Sequence, residues 1–193
     1  MNITHSKSSE LITNKWVGGT TTQLYIYPEN SSYAVRDFLF RISTATVETE
    51  ESVFTKLPGI QRKLMILDGE IKIEHEGYHS KIIKKFEQDE FNGDWNTKSY
   101  GKATDFNLMT REMASGEIEA YTVSDFKKLK INEDVDFWGI YLYSGKANIK
   151  ISNKGFMLNT GDFCSVLPEK EHLEISIEPI VKSEFIITNV RFM

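Results

Sequence analysis

Nine short runs rich in β-branched and aromatic residues, separated only by turn residues, leave this chain little choice but packed β-structure. The runs are TTTQLYIYP (20–28), FLFRISTATVE (38–48), KLMILDGEIKIEHEG (63–77), HSKIIKKF (79–86), FNLMTREM (106–113), WGIYLYSGKANIKIS (138–152), GFMLNTGDFCSVLP (155–168), HLEISIE (172–178) and EFIITNVRF (184–192). Side chains in such runs alternate between two faces with period two. No stretch of a dozen residues carries a helical stripe. Strands at close spacing, without helices between them, define a sandwich or a barrel.

The chain has 193 residues, enough for one large domain or two small halves with a real core. It carries 28 Asp and Glu against 23 Lys and Arg, a net charge of −5, with no basic block. Nucleic acid is therefore not an expected partner. Apolar runs are too short to cross a membrane. The opening segment MNITHSKSSELITNKW lacks the apolar stretch of a secretory signal. Cys164 is the single cysteine, which excludes a disulfide framework and a cysteine-rich zinc site. A cytoplasmic location is the expectation. Residues 1–10 are polar and read as a loose tail.

A weak internal repeat is present. LMILDGEIKIEHEGYHSKIIKKFEQDEF resembles IYLYSGKANIKISNKGFMLNTGDF. Gly69 matches Gly145 and Asp89 matches Asp162. Each copy runs as strand, Gly turn, strand, hairpin turn, strand, and then an acidic turn before an aromatic. A duplicated unit of this kind predicts that 64–91 and 139–163 share one topology, in two small barrels.

The repeat resembles the cupin pattern. WVGGTTTQLYIYP (16–28), FLFRISTATVE (38–48), FTKLPGIQRKLMILDGE (54–70), FNGDW (91–95) and DFNLMTRE (105–112) go further and resemble the HutD/Ves family of bicupins, in family order, over roughly 14–113. The resemblance implies an all-β bicupin: two cupin-like jelly-roll β-barrels, 11–115 and 116–193, forming one compact unit. It also implies a cytoplasmic protein, linked in some relatives to histidine utilisation, that binds a small acidic metabolite such as formylglutamate. Relatives often carry Asn and a third Gly after the first Trp, and Glu where Gln23 stands. Here Val17 follows Trp16, so the charge of the pocket differs if those residues help to line it.

Arg41 sits mid-strand on a face with Leu39, Ser43, Ala45 and Val47, positions that in a small barrel usually hold apolar side chains. In DFNLMTRE the same alternation puts Asp105, Asn107, Met109 and Arg111 on one face. Guanidinium forks suit bidentate capture of a carboxylate. The other reading is an internal network in which these arginines pair with Asp94, Asp105, Glu112 or backbone carbonyls. The expected ligand-binding set is Arg41, Ser43, Asn107 and Arg111 in the barrel, with Gln23, Arg62 and Trp95 around its mouth. The alternative to binding is a metal-free isomerase or hydrolase acting on the same metabolite. It needs an acid or base in reach of substrate, and Asp94, Asp105 and Glu48 are the nearby carboxylates.

No metal or other cofactor is expected. His5, His75, His79 and His172 lack the paired spacing of a cupin metal site, and His75 and His79 read as lying at a hairpin end outside the barrel. Cys164 reads as a buried small hydrophobe. VGGTTT lacks the lysine and helix of a phosphate loop, so Gly18 and Gly19 read as a tight backbone path. No membrane partner is expected, and a homodimer is the candidate assembly.

Overall fold

Sixteen strands and one 3₁₀ turn (Ser8–Glu10) make up the regular structure of the computed structural model, which describes residues 1–130, 134–169 and 174–192. There is no α-helix among the described residues. Backbone contacts divide the chain into two units, Ile12–Ser115 and Met1–Leu11 with Gly116–Met193. Strand β1 (Asn2–Ser6) opens the chain. Then come β2 (Ile12–Trp16), β3 (Gly19–Tyr27), β4 (Phe40–Val47), β5 (Glu51–Val53), β6 (Ile60–His75), β7 (Ser80–Lys84), β8 (Gln88–Asn92), β9 (Thr97–Tyr100) and β10 (Ala103–Arg111). The remainder are β11 (Ala114–Val123), β12 (Lys127–Lys130), β13 (Phe137–Ile151), β14 (Lys154–Asn159), β15 (Phe163–Leu167) and β16 (Glu174–Phe192).

In the Ile12–Ser115 unit the sheet runs β2-β3-β4-β10-β6-β9-β5, with β7 and β8 also paired to β6. In the other unit it runs β1-β15-β13-β16-β11, with β14 on β13 and β12 on β16. The repeat accounts for the likeness. β6 and β13 are the long central strands, each followed by a hairpin partner (β7, β14) and a second partner (β8, β15), all antiparallel. Each long strand changes partners at its glycine. β6 leaves β8 for β7 and β9 past Gly69, and β13 leaves β15 for β14 past Gly145. Both glycines have positive φ, +83° and +106°. A β-carbon there would also stand 2.6 Å from the Lys102 carbonyl oxygen or 2.4 Å from Ser183 Oγ.

Period-two alternation fills each interior. Leu64, Ile66, Ile71, Ile73, Ile83 and Phe91 form one core of the Ile12–Ser115 unit. Ile140, Leu142, Ile149, Cys164, Phe185 and Ile187 belong to the core of the other.

The N-terminal segment departs from the expectation of a loose tail. Asn2–Ser6 pairs antiparallel with β15. Ile3 packs on the core, so one apolar side chain and a row of edge hydrogen bonds suffice for a polar strand. Asp162 fastens the turn that follows, accepting from Ser8 N–H at 2.9 Å, Asn159 N–H at 3.0 Å and His5 Nε2 at 3.2 Å. Burial works against the Asp162 charge, but these donors outweigh it and hold its carboxyl below the ordinary value.

Candidate functional site

Register builds one wall of polar side chains across β4, β10 and β6. Arg41, Met109 and Arg62 are successive ladder partners, and so are Ser43, Asn107 and Leu64 in the next row. Gln23 on β3 extends the second row as the partner of Ser43. The third row pairs Ala45 with Asp105. Arg41, Ser43, Asp105, Asn107, Met109 and Arg62 line a cavity of about 390 Å³, with Trp16, Tyr33 and Phe54 among its other walls.

The arginines are deeply set, Arg41 at 5% exposure and Arg62 at 6%. Arg41 donates from Nε to Gln23 Oε1 at 3.0 Å and from a terminal nitrogen to Ser43 Oγ at 3.0 Å, with the Tyr33 ring 4.4 Å from its guanidinium carbon. Arg62 lies 4.8 Å from the Phe54 ring and 5.1 Å from the Phe91 ring. Among the described residues its only hydrogen bond, to Asn107 Oδ1, is a long 3.5 Å, and its buried Nε has no partner. Asn107 in turn donates to Asp105.

Burial dominates the electrostatics. It pushes the Arg62 guanidinium down to about 10, which leaves it cationic at neutral pH, and pulls Arg41 down as well. It raises the Asp105 carboxyl to about 7, against the opposing pull of Arg62 and Asn107. Among the described residues no carboxylate is ion-paired with either arginine; their hydrogen-bond partners are Gln23, Ser43 and Asn107. The cavity therefore sets two buried guanidiniums, with the exposed Lys15 also in its lining, against one carboxyl that burial pushes toward its neutral form.

The structure brings together Arg41, Ser43, Asn107 and Arg62 from the expected set, with Gln23 one layer behind. Arg62 is buried in the wall rather than placed at the mouth, because it starts the long strand beside β10. Arg111 does not line the cavity. It ends β10, and its guanidinium donates to the carbonyls of Phe38, at 2.9 Å from Nε, and Arg36. Trp95 also lies outside, stacked on Tyr78 at 3.8 Å between ring centroids. Of the three carboxylates considered for catalysis, Asp105 lines the cavity while Asp94 and Glu48 are exposed. Tyr33 and Phe54 escaped sequence reasoning, since both sit outside the periodic strands. Trp16 lies against Gly18, where a β-carbon would stand 2.0 Å from the indole ring. The VGG stretch thus seats a wall of the cavity.

The other residues considered resolve simply. Burial raises the Cys164 thiol to about 12, which leaves no thiolate at neutral pH. His172 lies outside the described residues. His75 and His79 do flank a hairpin, but both imidazoles turn to one carboxylate, Asp89, with Nε2 to oxygen distances of 2.8 and 3.2 Å. The spacing of EHEGYHS carries no sign of that convergence.

Two antiparallel barrels in one chain, built around the matching strands β6–β8 and β13–β15, the first with a polar inner wall, define a bicupin. The model of the HutD family matches residues 8–182, and the chain belongs to that family. Protein Ves of Escherichia fergusonii is 31% identical over 105 residues, 51% of this chain and 52% of Ves, so the match spans about half of that relative. The conserved protein PA5104 of Pseudomonas aeruginosa PAO1 superimposes with a TM-score of 0.87 at 14% identity, covering 99% of this chain and 100% of that one. HutD of Pseudomonas fluorescens SBW25, in a formate condition, gives a TM-score of 0.75 at 17% identity over 100% of both chains.

Proposed function

We propose that the Ile12–Ser115 barrel binds a small carboxylate metabolite between Arg41 and Arg62, and that the protein acts as a cytoplasmic sensor or handler of that metabolite. The observation that carries this reading is the Arg62 guanidinium: buried, cationic, with Nε bonded to nothing. Buried polar groups are almost always paired, and a buried charge needs an anion or several acceptors. A ligand carboxylate between the two arginines supplies them. Ser43 and Asn107 offer neutral polar contacts beside it, Gln23 orients Arg41, and Tyr33 covers Arg41. A volume of about 390 Å³ lies within the usual range for small-molecule sites, about 300–1,000 Å³. The HutD family, and a HutD neighbour described in a formate condition, favour a ligand related to histidine utilisation and resembling formylglutamate.

A second reading rests on Asp105. A carboxyl raised to about 7 inside the cavity is poised to exchange a proton with a bound substrate. It would make the protein a metal-free isomerase or hydrolase acting on the same acid. Incubation with formylglutamate distinguishes the two. Turnover that disappears in Asp105→Asn favours catalysis, and recovery of unchanged ligand favours binding alone.

Binding itself is tested by thermal denaturation with mono- and dicarboxylates and their neutral amides. A ligand at 100 times its dissociation constant adds about 2.7 kcal/mol of stability. Carboxylates are expected to raise the midpoint and the amides not. Equal shifts with both, or none with any carboxylate, overturn the reading.

A further inference from the structure

We propose that His75, His79 and Asp89 form a binding site for a first-row divalent metal ion, of which zinc is the representative, at the end of the β6–β7 hairpin. None of the three lines the arginine cavity. One ligand atom from each, two imidazole nitrogens and a carboxylate oxygen, lies within 4.8 Å of the other two. The distances from the imidazole Nε2 atoms to the carboxylate are 2.8 Å for His75 and 3.2 Å for His79. Ligands about 2.0–2.1 Å from a tetrahedral ion stand about 3.3 Å from one another, so small side-chain shifts open the cluster to a cation. Two imidazoles with one carboxylate suit zinc and its neighbours in the series, and leave a fourth position for water.

Three further features separate this cluster from a chance surface group. His75 and Asp89 are buried, at 3% and 8% exposure, with His75 against Phe91 and Trp95, while His79 is partly exposed and leaves a path of entry. The second nitrogen of His75, Nδ1, lies 2.8 Å from Thr97 Oγ1, as metal-bound histidines are commonly anchored. The third feature comes from the repeat. Asp162, the counterpart of Asp89, is occupied by two backbone N–H groups and His5. Asp89 has no such backbone donors among the described residues, and its two partners are imidazoles.

In the metal-free protein both Nε2–H groups donate to Asp89. A metal-ligating imidazole presents the Nε2 lone pair with the ring proton on Nδ1, where for His75 the Thr97 hydroxyl accepts it. The hairpin supplies the geometry. His75 N–H donates to the His79 carbonyl at 2.8 Å, which fixes the two residues across a three-residue turn.

The test is zinc titration of untagged, chelator-stripped protein by calorimetry and by competition with a chromogenic chelator, alongside His79→Ala. His79 is partly exposed, so its removal spares the fold, and circular dichroism checks this. One equivalent of zinc is expected to bind, at least tenfold more weakly in His79→Ala. Cobalt(II) is expected to give the intense visible bands of a four-coordinate site, lost in the variant. Asp89→Asn, if folded, is expected to behave like His79→Ala. Less than one equivalent bound by the unaltered protein, or a loss under tenfold in His79→Ala, overturns the proposal. Neither result bears on carboxylate binding, which involves none of these residues.

Discussion

Arg41 and Arg62 stand on either side of Met109 in a single row across three antiparallel strands, so two cations from alternate strands face one cavity with a thioether between them. At about 4.8 Å between neighbouring strands, their backbones are about 10 Å apart. That span lets two side chains converge on one small acid from opposite sides. Arg41→Met removes hydrogen bonds to neutral partners only, and is expected to cost about 1 kcal/mol of stability. Arg62→Met places an apolar chain between Phe54 and Phe91 and is expected to be neutral or stabilising. Chemical denaturation of the ligand-free variants checks both. A loss of 3–5 kcal/mol, about what an orphaned buried ion-pair partner costs, would mean that the arginines are struts.

Asp105 predicts a pH dependence. Its carboxyl lies at about 7 in the folded protein against 3.8 ordinarily, so the folded state holds the proton more tightly than the unfolded chain. The stability it contributes is complete below about 4 and is lost as pH rises to about 7. The loss is about 1.4 kcal/mol per pH unit, up to about 4 kcal/mol in all. Asp105→Asn is expected to flatten this limb of the stability curve. Carboxylate binding should weaken above pH 7, where Asp105 adds a like charge. Urea midpoints between pH 4 and 8 check the first effect, and calorimetry at pH 6 and 8 the second.

Arg111 is predicted to behave differently from the cavity arginines. It ties β10 to the carbonyls of Phe38 and Arg36 and does not line the cavity of Arg41 and Arg62. Arg111→Met is expected to lower stability by about 1–2 kcal/mol and leave the dissociation constant for a carboxylate unchanged. Paired denaturation and titration of the variant check this.

Gly18 gives a prediction at the cavity wall. Any β-carbon there collides with the Trp16 indole, so Gly18→Ala must push the ring aside. Carboxylate affinity is expected to fall severalfold with little change in melting temperature. Trp16 is partly exposed, and its fluorescence should shift to longer wavelength.

Much of this was legible in period two. The alternation in FLFRISTATVE and DFNLMTRE placed Arg41, Ser43, Asn107 and Asp105 on one wall, because a strand's faces are fixed by its backbone. Arg111 breaks that reading since it is the last residue of β10 and its guanidinium turns to the backbone carbonyls of Phe38 and Arg36. Arg62 precedes the run 63–77, which suggests a place at the mouth; its burial is set by its partners on β10 and β8, which one segment does not reveal. Tyr33, in an irregular loop, and the meeting of His75 and His79 on Asp89 depend on long-range geometry with no local period.

Calorimetric titration of formylglutamate into the unaltered protein and into Arg62→Met at pH 6 is the most direct test of the central claim. A hydrogen bond to a charged group is worth about 1.5–3 kcal/mol, and each 1.4 kcal/mol is tenfold in affinity. The account predicts saturable one-to-one binding that weakens at least tenfold in Arg62→Met. No binding by the unaltered protein, or equal affinity in both, would contradict it.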